Sequence, residues 1–231
     1  MELNAQSSRI WATYFGGSAA DYGASVVTDT LSGAVYVVGL TASSNGIASG
    51  GFQNTYGGGG FDAFLVKFSA TGTRIWGTYY GGPAREDGLN AAIDAMGNVY
   101  LVGFTSSTTA IASGGFQNIY GGGVSFGDSF LVKFSPTGTR LWSTYYGGTV
   151  DDYGVSVATD ASGSVYLAGF TGSTIGIASG GFQNTFAGNI YDGFLVKFDA
   201  DGNRLWATYY GGINEDIIYS VVADATGNVY V

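Results

Sequence analysis

Short apolar runs separated by Gly, Asp, Asn and Ser recur along the whole chain. In the first unit these runs cover residues 24–29, 34–41, 63–68 and 74–80. They are rich in β-branched and aromatic residues, and no long stretch follows the 3.6-residue period of an amphipathic helix. The pattern predicts an all-β protein with four strands in each unit.

The same four runs return at a fixed spacing, which indicates a tandem repeat. The four tryptophans mark the period, because Trp11, Trp76, Trp142 and Trp206 lie 65, 66 and 64 residues apart. A fourth unit begins at residues 219–224 and 228–231. The complete later units place predicted strands at residues 89–94, 98–105, 129–134 and 140–146, and at 154–160, 164–171, 193–198 and 204–210.

The predicted strands are apolar on both faces. Runs such as FLVKF and RIWGTY carry large side chains at consecutive positions, which suits a small sheet packed between two similar sheets. The pattern therefore favours the four-stranded antiparallel blades of a β-propeller over a single two-sheet sandwich, which would not require the repetition. The predicted division is a tail at 1–8, an unpaired outer strand at 9–17, complete blades at 18–82, 83–148 and 149–212, and a partial blade at 213–231.

Two phrases, W-x-T-Y-[YF]-G-G and D-x-x-G-x-V-Y-x-x-G-x-T, recur in the same order with GGFQN and D-x-F-L-V-K-F between them. With these phrases the chain from residue 9 to residue 231 resembles the SBBP β-propeller repeat of bacterial surface and secreted proteins. The resemblance implies a multi-bladed propeller whose parent protein is secreted or on the cell surface. It brings no established catalytic residues. The loop at 42–60 is longer and richer in Gly than a minimal repeat needs.

Composition narrows the possible functions. Of 231 residues, 45% are hydrophobic and the net charge is −9, so a sizeable core is expected, and neither nucleic acid nor an anionic membrane is an expected partner. No Cys and no His occur, which removes thiol nucleophiles, the Ser-His-Asp arrangement and most zinc chemistry. The prediction is a protein that is not an enzyme. The 41 glycines often form pairs after apolar runs, where we expect positive φ angles in tight turns.

The first eight residues lack the basic and apolar segments of a signal peptide, so none is predicted in this chain. No apolar run is long enough to cross a bilayer.

A loop with the sequence I-A-S-G-G-F-Q-N occurs once in each unit. Amides bind sugar hydroxyls and aromatic rings stack on pyranoses, so the loops are candidate carbohydrate sites. The alternative is that the Phe side chains cover blade edges while the amides bind loop backbone. The candidate ligand-binding residues are Phe52, Gln53, Asn54, Tyr56, Phe116, Gln117, Asn118, Tyr120, Phe182, Gln183, Asn184 and Phe186.

Acidic residues follow the Gly-Gly pair that ends each W-x-T-Y-[YF]-G-G phrase. Carboxylates of this kind bind Ca²⁺ or act as acid and base, and Asp21, Asp87, Asp152 and Asp216 are the candidate calcium ligands. The alternative is a solvated turn or a hydrogen bond to a neighbouring blade. No other cofactor is predicted.

Other charged residues are assigned structural roles. Asp29 stands four residues before a Gly, and Asp94, Asp160 and Asp224 each stand three residues before one, as in side-chain-capped turns. The segment 199–203 imitates a calcium loop, but its counterparts lack the acids, so a β-turn is predicted there. The repeated Lys and Arg side chains are expected to pair with Asp62, Asp128 or Asp192.

Three blades with strands left over at both ends predict exposed, complementary edges. We expect a fragment or an engineered piece of a propeller that associates head-to-tail, with a dimer favoured and a closed ring of about seven or eight blades as the product. The predicted function is a non-catalytic scaffold for protein interaction and self-assembly. The alternatives are a lectin-like binder with one site per blade, and a hydrolase or lyase with a carboxylate site in the channel.

Overall fold

The computed structural model describes residues 9–224 and 226–231; the predicted tail at 1–8 lies outside them. Within the described part the secondary structure is entirely β. The first blade contains β1 (Asp21–Thr28), β2 (Val35–Thr41), β3 (Asp62–Phe68) and β4 (Arg74–Tyr80). The second contains β5 (Glu86–Ile93), β6 (Val99–Thr105), β7 (Asp128–Phe134) and β8 (Arg140–Tyr146). The third contains β9 (Asp152–Thr159), β10 (Val165–Thr171), β11 (Asp192–Phe198) and β12 (Arg204–Tyr210), followed by β13 (Val222–Ala223) and β14 (Val229–Tyr230).

Each blade is a four-stranded antiparallel meander with its strands in chain order. The predicted fold class is confirmed: three complete blades are followed by a two-stranded partial blade, and the array is not closed into a ring. The inner strands β1, β5 and β9 pack against one another in sequence. These inner strands begin two or three residues earlier than predicted, so each one starts at an acidic residue rather than after it.

The predicted outer strand at the start of the chain is only partly correct. Residues 9–15 have no strand assignment, because a strand of this type needs a neighbouring ladder to bond its backbone. Its side chains nevertheless occupy the expected places on the first blade. The Trp11 indole N–H donates to the Ala70 carbonyl at 3.0 Å, and the Phe15 ring lies 5.3 Å from Phe64 and 5.9 Å from Phe68.

Neighbouring blades are joined by one tyrosine from each outer strand. Tyr146 of β8 inserts between Phe194 and Phe198 of the next blade, with ring centroids 5.3 and 5.8 Å apart, and its hydroxyl donates to the Ile177 carbonyl at 2.6 Å. Tyr80 does the same in the preceding blade. Both tyrosines are fully buried, whereas Tyr210 at the end of the third blade is 58% exposed.

The paired glycines correct one expectation. Positive φ occurs at turn glycines such as Gly72 and Gly138, but not at Gly81 or Gly82. The pairs are required by space instead, because a methyl group on Gly82 would lie 2.5 Å from the carbonyl oxygen of Thr109 in the following blade. At Gly138 the turn also leaves room for the Trp76 ring of the preceding blade.

The expected pairing of basic residues with Asp62, Asp128 and Asp192 is wrong. These aspartates begin the third strand of each blade while the lysines end it, so the two groups stand at opposite ends of a seven-residue strand. Lys133 instead lies 3.7 Å from the turn carboxylate of Asp94, and Lys197 lies 3.7 Å from Asp160. The arginines of the outer strands donate to loop carbonyls.

The turn aspartates cap their turns as predicted. Asp94 accepts N–H bonds from Met96 and Asn98, both at 2.9 Å. The segment 199–203 is likewise a turn capped by the Asp199 carboxylate. Across the described residues no helix is long and apolar enough to cross a bilayer.

Replacing the joining tyrosine tests the blade contacts. We expect Tyr146→Ala to lower the free energy of unfolding by about 3–5 kcal/mol, because it removes a fully buried ring and leaves a cavity between two blades. Ile119→Ala is the control, since Ile119 is 80% exposed in a loop, and we expect it to cost less than about 1 kcal/mol. Urea unfolding of dilute protein measures both, and equal losses would contradict this role.

Candidate binding site at the blade junctions

The long loop between the second and third strands of each blade covers the outer edge of that blade. In the first blade Ser49 bridges to Gly77 and Gln53 bridges to Tyr79 on β4. The edge of an outer strand would otherwise present unpaired backbone groups. The unexpected length of the 42–60 loop therefore has a structural reason.

The amides of the candidate sugar-binding loops are occupied by backbone. The Gln53 side chain accepts from the Gly81 N–H at 3.1 Å and donates to the Thr55 carbonyl at 3.0 Å. The Asn54 amide donates to the Gly51 carbonyl at 3.1 Å. The equivalent groups of Gln117, Asn118, Gln183 and Asn184 make the same bonds.

The loop aromatics pack on the blades. Tyr56, Tyr120 and Phe186 make edge contacts with the fourth strand of their own blade. Phe52 reaches the next blade, where it lies 6.3 Å from Phe134 and under the Arg140 guanidinium at 4.4 Å. Phe116 lies under Arg204 at 4.3 Å in the same way. The twelve candidate residues thus form three separate clusters, one in each blade.

One of these clusters borders an open groove between the first two blades. The groove has a volume of about 670 Å³. It is lined by Phe52, Gln53, Asn54 and Tyr56 on one side, and by Pro83, Thr109 and Ala110 on the other. Ala110 has a φ of 71°, the left-handed conformation that Gly46 and Gly176 adopt at the same position of the other repeats. An alanine held there stores backbone strain beside the groove.

The acidic residues after the Gly-Gly pairs open the inner strands. Asp21, Glu86 and Asp152 stand at the same register position, opposite Thr41, Thr105 and Thr171, and Asp216 follows the last Gly-Gly pair in the same way. Glu86 therefore takes the position for which the sequence suggested Asp87. Asp87 instead binds Arg85, with Nε and Oδ1 2.7 Å apart. Two adjacent acids in that turn concealed which one matched the repeat.

Glu86, Asp152 and Asp216 each lie close to a second carboxylate, which belongs to the preceding blade. We call Asp62–Glu86, Asp128–Asp152 and Asp192–Asp216 the junction pairs. Gly81, Gly147 and Gly211 separate their members. A methyl group on Gly147 would lie 2.6 Å from Asp128 Oδ1 and 2.7 Å from Asp152 Oδ2. No sequence pattern predicts these pairs, because their members belong to different strands of different blades.

Backbone and hydroxyl donors hold both carboxylates of a junction pair in place. Asp152 accepts from the Thr171 hydroxyl, from the Gly148 N–H at 2.7 Å and from the Ser173 hydroxyl at 3.0 Å. Opposite it, Asp128 accepts from the Gly121 N–H at 2.7 Å. The first pair repeats this pattern, with Glu86 bonded to Thr105 and Gly82 and Asp62 bonded to Gly57.

We call Asp62–Glu86 and Asp128–Asp152 the complete pairs, because a complete blade stands on each side of them. Burial has the largest effect on the pKa values of these two pairs, whose carboxyl groups are inaccessible to solvent. Burial, with the charge of Glu86 adding to it, raises the pKa of Asp62 to about 7. Burial also raises the pKa of Asp128 to about 7 and that of Asp152 to about 6, and it raises the pKa of Glu86. A carboxyl group with this pKa holds its proton into the neutral range.

The calcium hypothesis finds little support in this geometry. In residues 9–224 and 226–231 no group of three or more Asp, Glu, His or Cys side chains converges. Calcium prefers six to eight oxygen ligands, whereas the junction pairs offer two carboxylates surrounded by N–H donors. A calcium site at Asp21, Asp87, Asp152 or Asp216 stays a prediction.

Filling the space between a junction pair tests its packing. We expect Gly147→Ala to cost about 1–3 kcal/mol in unfolding free energy, because the new methyl group collides with two buried carboxylates. Gly60→Ala is the control, since no atom lies within 4 Å of the added methyl group, and we expect a change within about 0.5 kcal/mol. Thermal and urea unfolding measure both, and an unaffected Gly147→Ala would mean that the pair has room to separate.

Comparisons with known proteins agree with this architecture. Residues 10–47 match the model of the SBBP β-propeller repeat. A WD repeat-containing protein, L264, of Acanthamoeba polyphaga mimivirus is 25% identical over 63% of this chain. The regulatory protein FlaEY of Caulobacter vibrioides is 28% identical over 75% of the chain. The chain spans 12% and 19% of the lengths of these two relatives. The segment 10–47 is therefore similar to an SBBP-type β-propeller repeat, and the repeated four-stranded antiparallel blades agree with that similarity.

Proposed function

We propose that this chain is a non-catalytic scaffold that binds other proteins through its blade faces, and that its two outer faces associate head-to-tail with a second copy. Repeat propellers present wide surfaces built from near-identical units, which suits binding rather than one specialised catalytic centre. The names of the relatives, a WD repeat-containing protein and a regulatory protein, agree with a binding role. The buried position of the junction carboxylates also argues against a hydrolase or lyase that would use them, because no substrate reaches them.

One observation carries the association: side chains that join blades inside the array are exposed at its C-terminal face. Phe182 is 89% exposed, whereas the equivalent Phe52 and Phe116 are 40% and 41% exposed. Tyr210 is exposed where Tyr146 is buried. The same face therefore presents two aromatic side chains whose counterparts are seated on a following blade.

The opposite face of the array is open in a complementary way. Val26 on β1 is 62% exposed, whereas the equivalent Val157 on β9 is 4% exposed because the second blade covers it. Contiguous apolar area of this kind favours association. A blade face that fits its neighbour inside one chain also fits the same neighbour in another copy, so the contact is heterologous and closes only for a suitable rotation. A dimer that forms one ring is the favoured product.

The solution mass tests this association. We expect a stable species near twice the chain mass of 23.8 kDa by light scattering on a size-exclusion column, unchanged over a dilution series. Phe182→Asp places a charge in the proposed contact, and we expect it to reduce the mass to that of one chain. Val124→Asp is the control, because Val124 is 99% exposed in a loop away from the blade faces, and its mass should equal that of the unmodified protein.

Other masses would contradict the proposal in distinct ways. A single-chain mass at every concentration would mean that the outer faces do not associate. A mass that rises steadily with concentration would mean open association without ring closure. A Phe182→Asp protein with the dimer mass would place the contact elsewhere.

Carbohydrate binding is the second candidate, supported by the 670 Å³ groove beside Phe52 and Tyr56. A sugar ring stacked on Phe52 would not need the Gln53 and Asn54 amides, which are already hydrogen-bonded to backbone. Titration calorimetry with a panel of simple sugars tests this, and we expect saturable binding that Phe52→Ala weakens at least about tenfold, a loss of about 1.4 kcal/mol. Phe182→Ala is the control. It should leave sugar binding at Phe52 unchanged, because Phe182 lies in the third blade and does not line this groove. No heat with any sugar in the panel would exclude the candidate.

A further inference from the structure

The structure assigns a proton to each complete junction pair: we propose that Asp62–Glu86 and Asp128–Asp152 each share one proton, which links the stacking of blades to pH. This proposal concerns contacts inside one chain and does not depend on the proposed association. It begins from an oxygen without a partner. Asp62 Oδ1 is fully buried and has no hydrogen-bond partner, although Oδ2 of the same carboxylate accepts from the Gly57 N–H at 2.6 Å.

The unpartnered oxygen lies beside the space that also borders the second carboxylate of its pair. A methyl group on Gly81 would lie 2.7 Å from Asp62 Oδ1 and 2.6 Å from Glu86 Oε2, so both oxygens border the same small space. The third pair repeats the feature, because Asp192 Oδ1 also lacks a partner and borders Gly211. A proton on one oxygen would donate to the other carboxylate and satisfy the pair. Two ionised carboxylates in this position would instead repel each other without solvent screening.

No positive side chain among the described residues neutralises the complete pairs. Arg85 is bonded to Asp87 through both Nε and an Nη atom. Lys133 and Lys197 contact the turn carboxylates of Asp94 and Asp160 at the far end of the blade. The groups that do touch the pairs are N–H and O–H donors such as Gly82 and Thr105. These donors lower the pKa of the carboxylate that they bond and occupy its oxygens. Ca²⁺ needs six to eight oxygen ligands, whereas a proton needs only the unpartnered oxygen of Asp62.

The other titratable groups near the pairs stay neutral over the relevant range. Tyrosines surround both pairs, and burial raises the pKa of each one, with nearby carboxylates adding to it in most cases. Their hydroxyls therefore remain protonated below pH 10. These tyrosines are Tyr56, Tyr79, Tyr80, Tyr120, Tyr145, Tyr146 and Tyr209.

Asp151 is the other acid beside the second pair. Burial raises the pKa of Asp151, but the N–H groups of Gly127, Phe126 and Ser125 lower it more, so its net pKa lies below the usual value. Asp151 is therefore ionised throughout the neutral range.

The sign of the pH effect follows from the raised pKa values. Asp62 and Asp128 have a pKa of about 7 in the fold against 3.8 in an unfolded chain. Between these values the folded state binds more protons than the unfolded state, so stability falls as the pH rises. The stability that these protons contribute is fully present below about pH 4 and is lost as the pH rises through about 7. Asp29, Asp160 and Asp199 have lowered pKa values and are ionised in both states above about pH 5.

The composition makes the effect easy to isolate. The chain contains no His and no Cys, so no side chain with an ordinary pKa near neutrality obscures the titration. A pH dependence of stability between pH 5 and pH 8 therefore reports the junction carboxylates.

Thermal unfolding at pH 5 and pH 8 tests the proposal. We expect the midpoint to be on the order of 10 °C lower at pH 8. Asp62→Asn and Asp128→Asn replace the protonated carboxyl group by an amide of the same shape, which donates at every pH. Each should raise the midpoint at pH 8 and remove about half of the difference between the two pH values. Asp201→Asn removes an exposed carboxylate of the same charge and should retain the full difference.

A carbon-13 NMR titration of the unmodified protein provides a measurement that does not depend on variants. We expect at least two Asp carboxyl resonances with midpoints between about pH 6 and pH 8. Midpoints below about pH 5 for every carboxyl group would overturn the proposal, as would an unchanged pH dependence in the Asp62→Asn Asp128→Asn double variant. A thermal unfolding midpoint at pH 8 that rises on addition of Ca²⁺ and returns to its original value with a chelator would also overturn the proposal, because a metal ion would then neutralise the pair.

Discussion

Stacking of one small sheet on the next is the constraint on which the rest of this structure depends. A four-stranded blade with apolar side chains on both faces cannot bury them alone, so each blade requires a neighbour on each side. Tyr80 and Tyr146 make that contact by inserting between two phenylalanines of the following blade. The equivalent Tyr210 is exposed, because no complete blade follows the third one.

Several repeated features of the chain follow from this stacking. The Gly-Gly pairs bring the end of one blade close to the loop of the next, where a methyl group would meet a carbonyl oxygen. The turn glycines leave room for the tryptophan of the preceding blade. The GGFQN loops cover the outer edge and extend Phe52 and Phe116 onto the next arginine. Repetition of these residues is therefore explained by packing before any ligand is considered.

The strands and their order could be predicted from the sequence because each strand is a local pattern, and the predicted ends at Tyr80, Tyr146 and Tyr210 agree with the structure. The contacts between blades could not be predicted. Asp62 and Glu86 are far apart in the chain and no spacing rule connects a third strand to the first strand of the next blade. Asp87 was suggested in place of Glu86 because only the strand register separates two adjacent acids. The sign of a charge does not predict its ion pair either, because it does not say which end of a strand each residue occupies.

The junction pairs place two opposing effects at one interface. Aromatic side chains hold neighbouring blades together over a wide area. Two buried carboxylates in the same contact oppose this unless a proton neutralises one of them. Asp21 is the equivalent residue of the first blade, and in the described residues it bonds to Thr41, Ser43 and Gly17 without a second carboxylate opposite it. A blade that docked on this face with its own third-strand aspartate would complete the pair. The cost of stacking a further blade would then depend on pH in the same direction as the contacts within the chain.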